Sequence, residues 1–298
     1  MQESLQQPDH GWRDRLKAWP QYILPGHLIS RITYAITRIR SPRFKNAFTA
    51  WFVRSFQVNL AEAEISDPHG YEHFNAFFTR ALKTGARPIV AGRLEVACPV
   101  DGAVSQAGTI TDGQIFQAKG HNYSLTELLG GSSKRAAPFQ GGKFATLYLS
   151  PRDYHRIHMP LGGQLREMIH VPGRLFSVNT STVKVIPGVF ARNERVISIF
   201  DTAFGPMALV KVGAINVGSI ETVWAGEVTP PAGRVVRSWH YPADGEGSVS
   251  LERGSEMGRF NMGSTVIVIF ARDAIEWSDK IAAGAPVRMG ELLAIRKG

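Results

Sequence analysis

The chain has 298 residues, 44% hydrophobic and 20% charged, so it is long enough to bury a full core and too apolar for a disordered protein. Thirty-four Lys and Arg against 25 Asp and Glu leave a formal charge of +9, which calls for a polyanionic partner, nucleic acid or an anionic membrane. The single cysteine, Cys98, excludes an internal disulfide framework and a multi-cysteine zinc site, and fits a reducing cytoplasm. Met1 to Asp9 lack the basic start and apolar core of a secretory signal, and no apolar run reaches the ~18 residues of a membrane span. The expectation is a cytoplasmic protein that does not cross a bilayer.

Along the chain, Trp12, Trp19, Tyr22, Ile23 and Leu24 sit among Arg13, Arg15 and Lys17. Leu28, Ile29, Ile32, Ala35, Ile36 and Ile39 then recur at helical spacing with Arg31, Arg38 and Arg40 between them, until Ser41-Pro42 breaks the pattern. A second helical set follows in Phe44, Ala47, Phe48, Trp51 and Phe52, accompanied by Arg43, Lys45 and Arg54. Two basic, aromatic-rich amphipathic helices have the pattern of an interfacial membrane anchor. The alternatives are that these faces pack on the rest of the protein, or that they bind nucleic acid, which ranks last because no recognised binding module accompanies the charge.

A further helix is expected near Tyr71–Arg80. After Pro88 the pattern turns to short apolar runs punctuated by Gly and Pro, which predict strands. They fall at Leu94–Cys98, Ala103–Ile110, Lys143–Leu149, Gln164–Val171, Arg195–Phe200, Met207–Ala214, Arg234–His240 and Thr265–Ala271. A short helix interrupts them, signalled by the capping box Ser124-Leu125-Thr126-Glu127. The fold class is therefore α+β: a helical, membrane-associating region over residues 1–90, then a β-rich catalytic domain over 91–298.

Three segments carry candidate chemistry. Cys98-Pro99-Val100-Asp101-Gly102 sets an acid in a turn between strands, a pair that is most often purely structural. Ser150-Pro151-Arg152-Asp153-Tyr154-His155-Arg156-Ile157-His158-Met159-Pro160 presents two histidines after a strand, where a base, a metal pair or plain packing would each fit. No further Cys/His cluster supplies the remaining ligands of a metal, and none is expected. Gly254 to Thr265 puts a Gly263-Ser264 bond at the mouth of an apolar strand, either an ordinary turn or a place where the backbone cuts itself. Asp101, His158 and Ser264 supply the carboxylate, base and hydroxyl of a nucleophile triad, a set almost any chain of this size contains.

Six segments, taken together and in order, resemble the bacterial phosphatidylserine decarboxylase family: Phe74–Arg80, Pro99–Gly102, Lys119–Leu125, Ser150–Pro160, Gly218–Gly226 and Gly254–Ile267. One departure is Met262-Gly263-Ser264-Thr265, where the family has Leu-Gly-Ser-Thr; Met replaces Leu as an apolar group of similar size. The resemblance implies a proenzyme. His158, oriented by Asp101, would deprotonate Ser264, whose Oγ attacks the Gly263 carbonyl. β-Elimination of the resulting ester would release a large chain, 1–263, and leave a small chain, 264–298, whose terminal dehydroalanine takes up water and loses ammonia to become a pyruvoyl group made from Ser264. That ketone would be the covalent cofactor and Schiff-base centre for decarboxylation of phosphatidylserine to phosphatidylethanolamine, with His155 assisting. The resemblance also implies a peripheral enzyme on the cytoplasmic side of the inner membrane, binding an anionic surface, with a homodimer suggested and no nucleic acid. Phe176-Ser177 either lines the substrate pocket or packs as ordinary strand. Two rival readings stand: a Ser-His-Asp lipid hydrolase or protease without self-processing, and a non-enzymatic lipid-binding module.

Overall fold

A computed structural model describes residues 19–263 and 265–297. Trp12, Arg13, Arg15, Lys17 and Ser264 of the sequence reading lie outside the described residues. The first helix, α1 (Gly26–Thr37), follows Pro25, and α2 (Pro42–Phe56) opens on a proline, whose missing N–H costs nothing in the first helical turn. Helix α2 ends at Gln57, which takes the left-handed conformation (φ +53°) that closes many helices. A single-turn helix, α3 (Phe74–Phe78), starts at His73, whose Nδ1 accepts the Ala76 N–H at 3.0 Å.

The two amphipathic helices bury different things. On α2, Phe52 is buried in an aromatic cluster with Phe74, Phe77 and Phe78 of α3, and Phe48 packs against it. Each fully buried ring contributes about 3 kcal/mol of apolar burial. On α1 the arrangement is inverted. Leu28 is 55% exposed and Ile32 50%, while Ser30 and Thr37 are buried. The predicted apolar stripe of α1 therefore faces outward and its small polar face meets the protein. No helix among the described residues is long and apolar enough to cross a membrane.

From residue 95 the chain is mostly strand. β1 (Glu95–Ala97) and β2 (Gly102–Thr109) flank the Asp101 turn, and β3 (Gln114–Ala118) pairs with β4 (His121–Ser124). Helix α4 (Leu125–Leu128) carries the expected cap, with the Glu127 N–H on Ser124 Oγ at 3.3 Å. Then come β5 (Lys143–Tyr148), β6 (Arg156–His158), β7 (Gly163–Val171), β8 (Arg195–Thr202), β9 (Gly205–Val212), β10 (Ser219–Thr222) and β11 (Gly226–Thr229). The rest are β12 (Arg237–His240), β13 (Ser250–Leu251), β14 (Glu256–Asn261), β15 (Thr265–Phe270), β16 (Ile275–Trp277), β17 (Pro286–Val287) and β18 (Leu292–Arg296). All eight expected strands are present, their ends moved by up to three residues.

Three antiparallel sheets matter for the site. The largest runs β12-β7-β8-β9-β15-β5-β2-β17, with β13 on the outer side of β7. Its strand β15 is paired on both sides, Thr265 opposite Val212 of β9 and Tyr148 of β5. Every residue of β15 is buried, which is why its sequence reads as an unbroken apolar run. A four-stranded sheet, β11-β10-β14-β6, lies beside it, and β1-β18-β16 forms the third. Met262 and Gly263 thus lead out of the small sheet, at Asn261, towards the centre of the large one, which the chain enters at Thr265. The fold is α+β, with a few N-terminal helices and a β-rich majority.

Candidate active site

The crossing is under conformational tension. Met262 has φ +91°, a region in which an L side chain costs on the order of 1–3 kcal/mol. Its side chain packs on the α2–α3 aromatic cluster, so the expensive backbone is held from the helical side.

His155 stands next to it. The loop after β5 folds back because the Ser150 N–H donates to Asp153 Oδ2 at 2.6 Å, and Arg80, itself buried, donates to the Arg152 carbonyl at 3.0 Å. The Asp153 carbonyl then receives the His155 ring nitrogen Nδ1 at 2.9 Å, which assigns the proton to Nδ1 and a lone pair to Nε2. His155 is fully buried, with its ring 4.1 Å from that of Phe78. Nε2 has no hydrogen-bond partner among the described residues, and a Cβ placed on Gly263 would lie 3.6 Å from it. Burial pulls the imidazole down to about 3, against 6.5 ordinarily, so it is neutral at physiological pH.

His158 and Asp101 belong to separate hydrogen-bond sets. His158 pairs with Glu256 at the start of β14, whereas the His155 carbonyl takes the Phe260 N–H near its end. Along β14, the His158 backbone therefore pairs at a position further from Gly263 than the His155 backbone does. Its Nδ1 donates to the Gly254 carbonyl at 2.8 Å, and its Nε2 receives the Tyr154 hydroxyl at 3.0 Å. Burial raises that phenol to about 12, so it stays a donor, and burial lowers the His158 imidazole below its usual value.

Asp101 sits where Gly102 lets the turn close, since a Cβ there would meet the Tyr148 carbonyl at 2.2 Å. Its carboxylate is gripped by Arg87, NH2 to Oδ2 at 2.6 Å and Nε to Oδ1 at 3.0 Å, and by the Met289 N–H at 2.9 Å. A forked guanidinium is a stronger partner than a neutral imidazole. Asp101 and His158 remain neighbours through the backbone, because the His158 N–H donates to the Pro99 carbonyl at 2.9 Å.

Gly263 opens on a cavity of about 220 Å³ lined by Phe52, Phe56, Phe78, Leu149, Ser177 and Asn179, among others. Ser177 lines this cavity. Phe176 is buried, stacks edge-on with Tyr22 at 5.2 Å and borders a different cleft of about 700 Å³ with Leu24 and Arg192. Sequence reasoning missed Phe56 and assigned Phe52 only to an amphipathic stripe, although their spacing of four, continued from Phe44 and Phe48, marks one helical face. It also missed Arg87 and Tyr154, whose roles depend on contacts that spacing does not encode.

Fold and candidate site define an α+β protein whose candidate residues gather at the entrance of a central strand, beside an aromatic cavity. A family model described as phosphatidylserine decarboxylase matches residues 74–295, and a second, described as PSD, matches residues 16–57. The chain is 57% identical over 283 residues to the phosphatidylserine decarboxylase proenzyme of Pseudomonas entomophila (strain L48), covering 95% of this chain and 98% of that protein. It is 57% identical over 282 residues to the proenzyme of Pseudomonas putida (strain GB-1), covering 95% and 98%. With that of Pseudomonas aeruginosa (strain LESB58) it shares 56% identity over 286 residues, 96% and 99% of the two chains. The chain belongs to the phosphatidylserine decarboxylase family, and is a decarboxylase of proenzyme type.

Proposed function

We propose that the chain cuts itself between Gly263 and Ser264, converts Ser264 into a pyruvoyl group, and then decarboxylates phosphatidylserine to phosphatidylethanolamine at a membrane surface. The observation that carries this is the neutral His155 Nε2, without a hydrogen-bond partner among the described residues, set close to Gly263 beside a backbone held at φ +91°. A buried polar atom without a partner is expensive unless chemistry uses it.

The residues around Gly263 fit a small ketone: the cavity is mainly apolar, the glycine leaves room, and His155 Nε2, unbonded among the described residues, can approach a carbonyl. A pyruvoyl group there supplies an electron sink for the electrons left when CO2 departs. The chain does the rest. His158, with Asp101, takes the proton from Ser264 Oγ as it attacks the Gly263 carbonyl. This requires Tyr154 to leave His158 Nε2 and Arg87 to yield an oxygen of Asp101. His155, kept neutral by burial, holds and returns the proton at the substrate carbon. Phe52, Phe56 and Phe78 exclude water from that carbon, and Ser177 and Asn179 offer polar contacts to the headgroup.

The outward stripe of α1, with the exposed Arg31 on the same helix, supports docking on an anionic bilayer. Intact-mass analysis tests the core of the reading. It should give two fragments, the smaller beginning at residue 264 with a blocked terminus, and Ser264→Ala should stay whole. His155→Ala should be cut yet unable to decarboxylate, whereas His158→Ala should remain uncut. The reverse pattern would move cleavage to His155. An uncut wild type inactivated by serine-directed reagents would return the chain to the hydrolase reading.

A further inference from the structure

We propose that Asn261 is a positioning residue for the scissile bond, aligned by a polar relay that runs from α1 through Glu227 and Ser219. The proposal rests on the self-cleavage reading and adds to it a part of the protein remote from the reacting atoms.

A strained residue keeps its conformation only if both flanks are fixed. Downstream of Met262, Thr265 is locked between β5 and β9. Upstream stands Asn261, 2% exposed and the last residue of β14. Its carbonyl accepts the Gly218 N–H at 2.7 Å, and its Oδ1 accepts Asn75 Nδ2 at 2.8 Å. Its Nδ2 donates to Ser219 Oγ. An apolar side chain would seal β14 against β10 equally well; what a doubly bonded amide adds is direction, fixing where the next peptide leaves the strand.

The relay continues. The Ser219 hydroxyl donates to Glu227 Oε1 at 3.0 Å, on β11. The same carboxylate takes Arg38 Nη2 at 2.7 Å and the Tyr34 hydroxyl at 3.0 Å, Tyr34 from α1 and Arg38 from the residue that caps its C-terminus. The Arg38 guanidinium lies 3.5 Å above the Tyr34 ring, so the α1 end is itself braced. Asn75 brings in α3, and Met262 rests on the α2–α3 cluster. Every helix of the N-terminal region therefore bears on the two residues before Gly263. Such networks are costly in an interior unless well connected, and here each side chain from Arg38 to Asn75 makes at least one side-chain hydrogen bond within the chain of contacts, with Asn75 Oδ1 left unbonded at its far end among the described residues.

Once the bond is cut, Met262 and Gly263 become a chain end and nothing remains to be strained. The relay thus sets the rate of maturation and leaves later turnover alone, which separates it from a general structural role. The test follows full-length precursor made by cell-free translation, with the first-order appearance of the two fragments read on gels. Asn261→Ala, Ser219→Ala and Glu227→Gln should each mature about tenfold more slowly, the effect of one lost directional hydrogen bond. Ser219→Thr should recover the wild-type rate. Met262→Gly relieves the strain without touching the relay and should slow cleavage likewise. Decarboxylation per cleaved chain should be unchanged in Ser219→Ala and Glu227→Gln.

Variants that fold, judged by thermal melting, and cleave at the wild-type rate would overturn the proposal. So would cleavage and turnover falling together, which would mark plain destabilisation. A wild type that never cuts would instead sink the self-cleavage reading and the relay's role with it. A wild type that cuts no faster than its variants sinks the relay alone.

Discussion

Lys211 is buried completely in β9, in the middle of the large sheet, with no ion-pair partner among the described residues. Its Nζ donates to Ser198 Oγ at 3.0 Å and lies 5.3 Å from the centre of the Trp224 ring. Burial pulls the amine from lysine's usual 10.5 down to about 7. The folded value lies below the unfolded one, so between pH 7 and 10.5 the unfolded chain holds a proton that the folded chain lacks, and stability rises with pH across that window. Below pH 7 both states are protonated and the penalty stands in full, at about 5 kcal/mol. Replacing Lys211 by Met keeps the length of the stem and removes the charge. After about 1 kcal/mol is set against the lost hydrogen bond, the variant should be more stable by about 3 kcal/mol at pH 7. Near pH 10 the advantage should vanish. Urea unfolding of the Ser264→Ala chain, with and without Lys211→Met, followed by tryptophan fluorescence at pH 6.5, 8 and 9.5, reads both the size and the slope. Two parallel stability–pH curves would refute the reasoning, because they would mean that the amine is as well solvated folded as unfolded.

Other outcomes follow from the same kind of accounting. Arg87→Met strands the buried Asp101 carboxylate and should cost about 3 kcal/mol in denaturant unfolding, with Arg87→Lys restoring only part because a lysine cannot fork. Ile32→Asp on the outward stripe of α1 should weaken binding to anionic vesicles in a sedimentation assay while leaving the melting temperature alone; unchanged binding would remove α1 from the membrane interface. His155 has a folded value lowered from 6.5 to about 3, so stability gained with rising pH through that interval should be absent in His155→Phe. Acid titration by circular dichroism compares the two, and identical acid limbs would contradict the burial of that ring.

What the sequence disclosed was set by how local the cause was. β15 from Val266 to Phe270 and β9 from Met207 to Val210 are continuous apolar runs because both their faces are covered, and a run of that kind is legible without partners. The Ser124–Glu127 cap was legible because its bond spans three residues. β14 was not, since Glu256–Asn261 lies in a glycine-dotted stretch that reads as loop. Gly258 is there because a Cβ would strike the Glu221 carbonyl at 2.2 Å, a demand made by a strand more than thirty positions away. β6, enclosed by prolines, was hidden in the same way. Periodicity found the stripe on α1, but period alone cannot tell which way a stripe faces; the buried Ser30 and Thr37 tell that. The site divides likewise. The residue types around Gly263 were visible in their motifs, whereas the grip of Arg87 on Asp101 and of Tyr154 on His158 required the folded chain.

The place of β15 within the large sheet gives the Gly263–Ser264 bond an assembly role before any chemical one. The small fragment would contribute β15 and β17 to one sheet and β16 and β18 to another, interleaved with strands of the large fragment. As a tether, the intact bond presents these strands to their slots at the high effective concentration of an intramolecular partner. Afterwards the ladders on both sides of β15 keep the pieces together without it. Under the proposed cleavage, folding would have to precede cutting, and halves produced separately should not assemble when mixed, because a central strand cannot be threaded into a finished sheet.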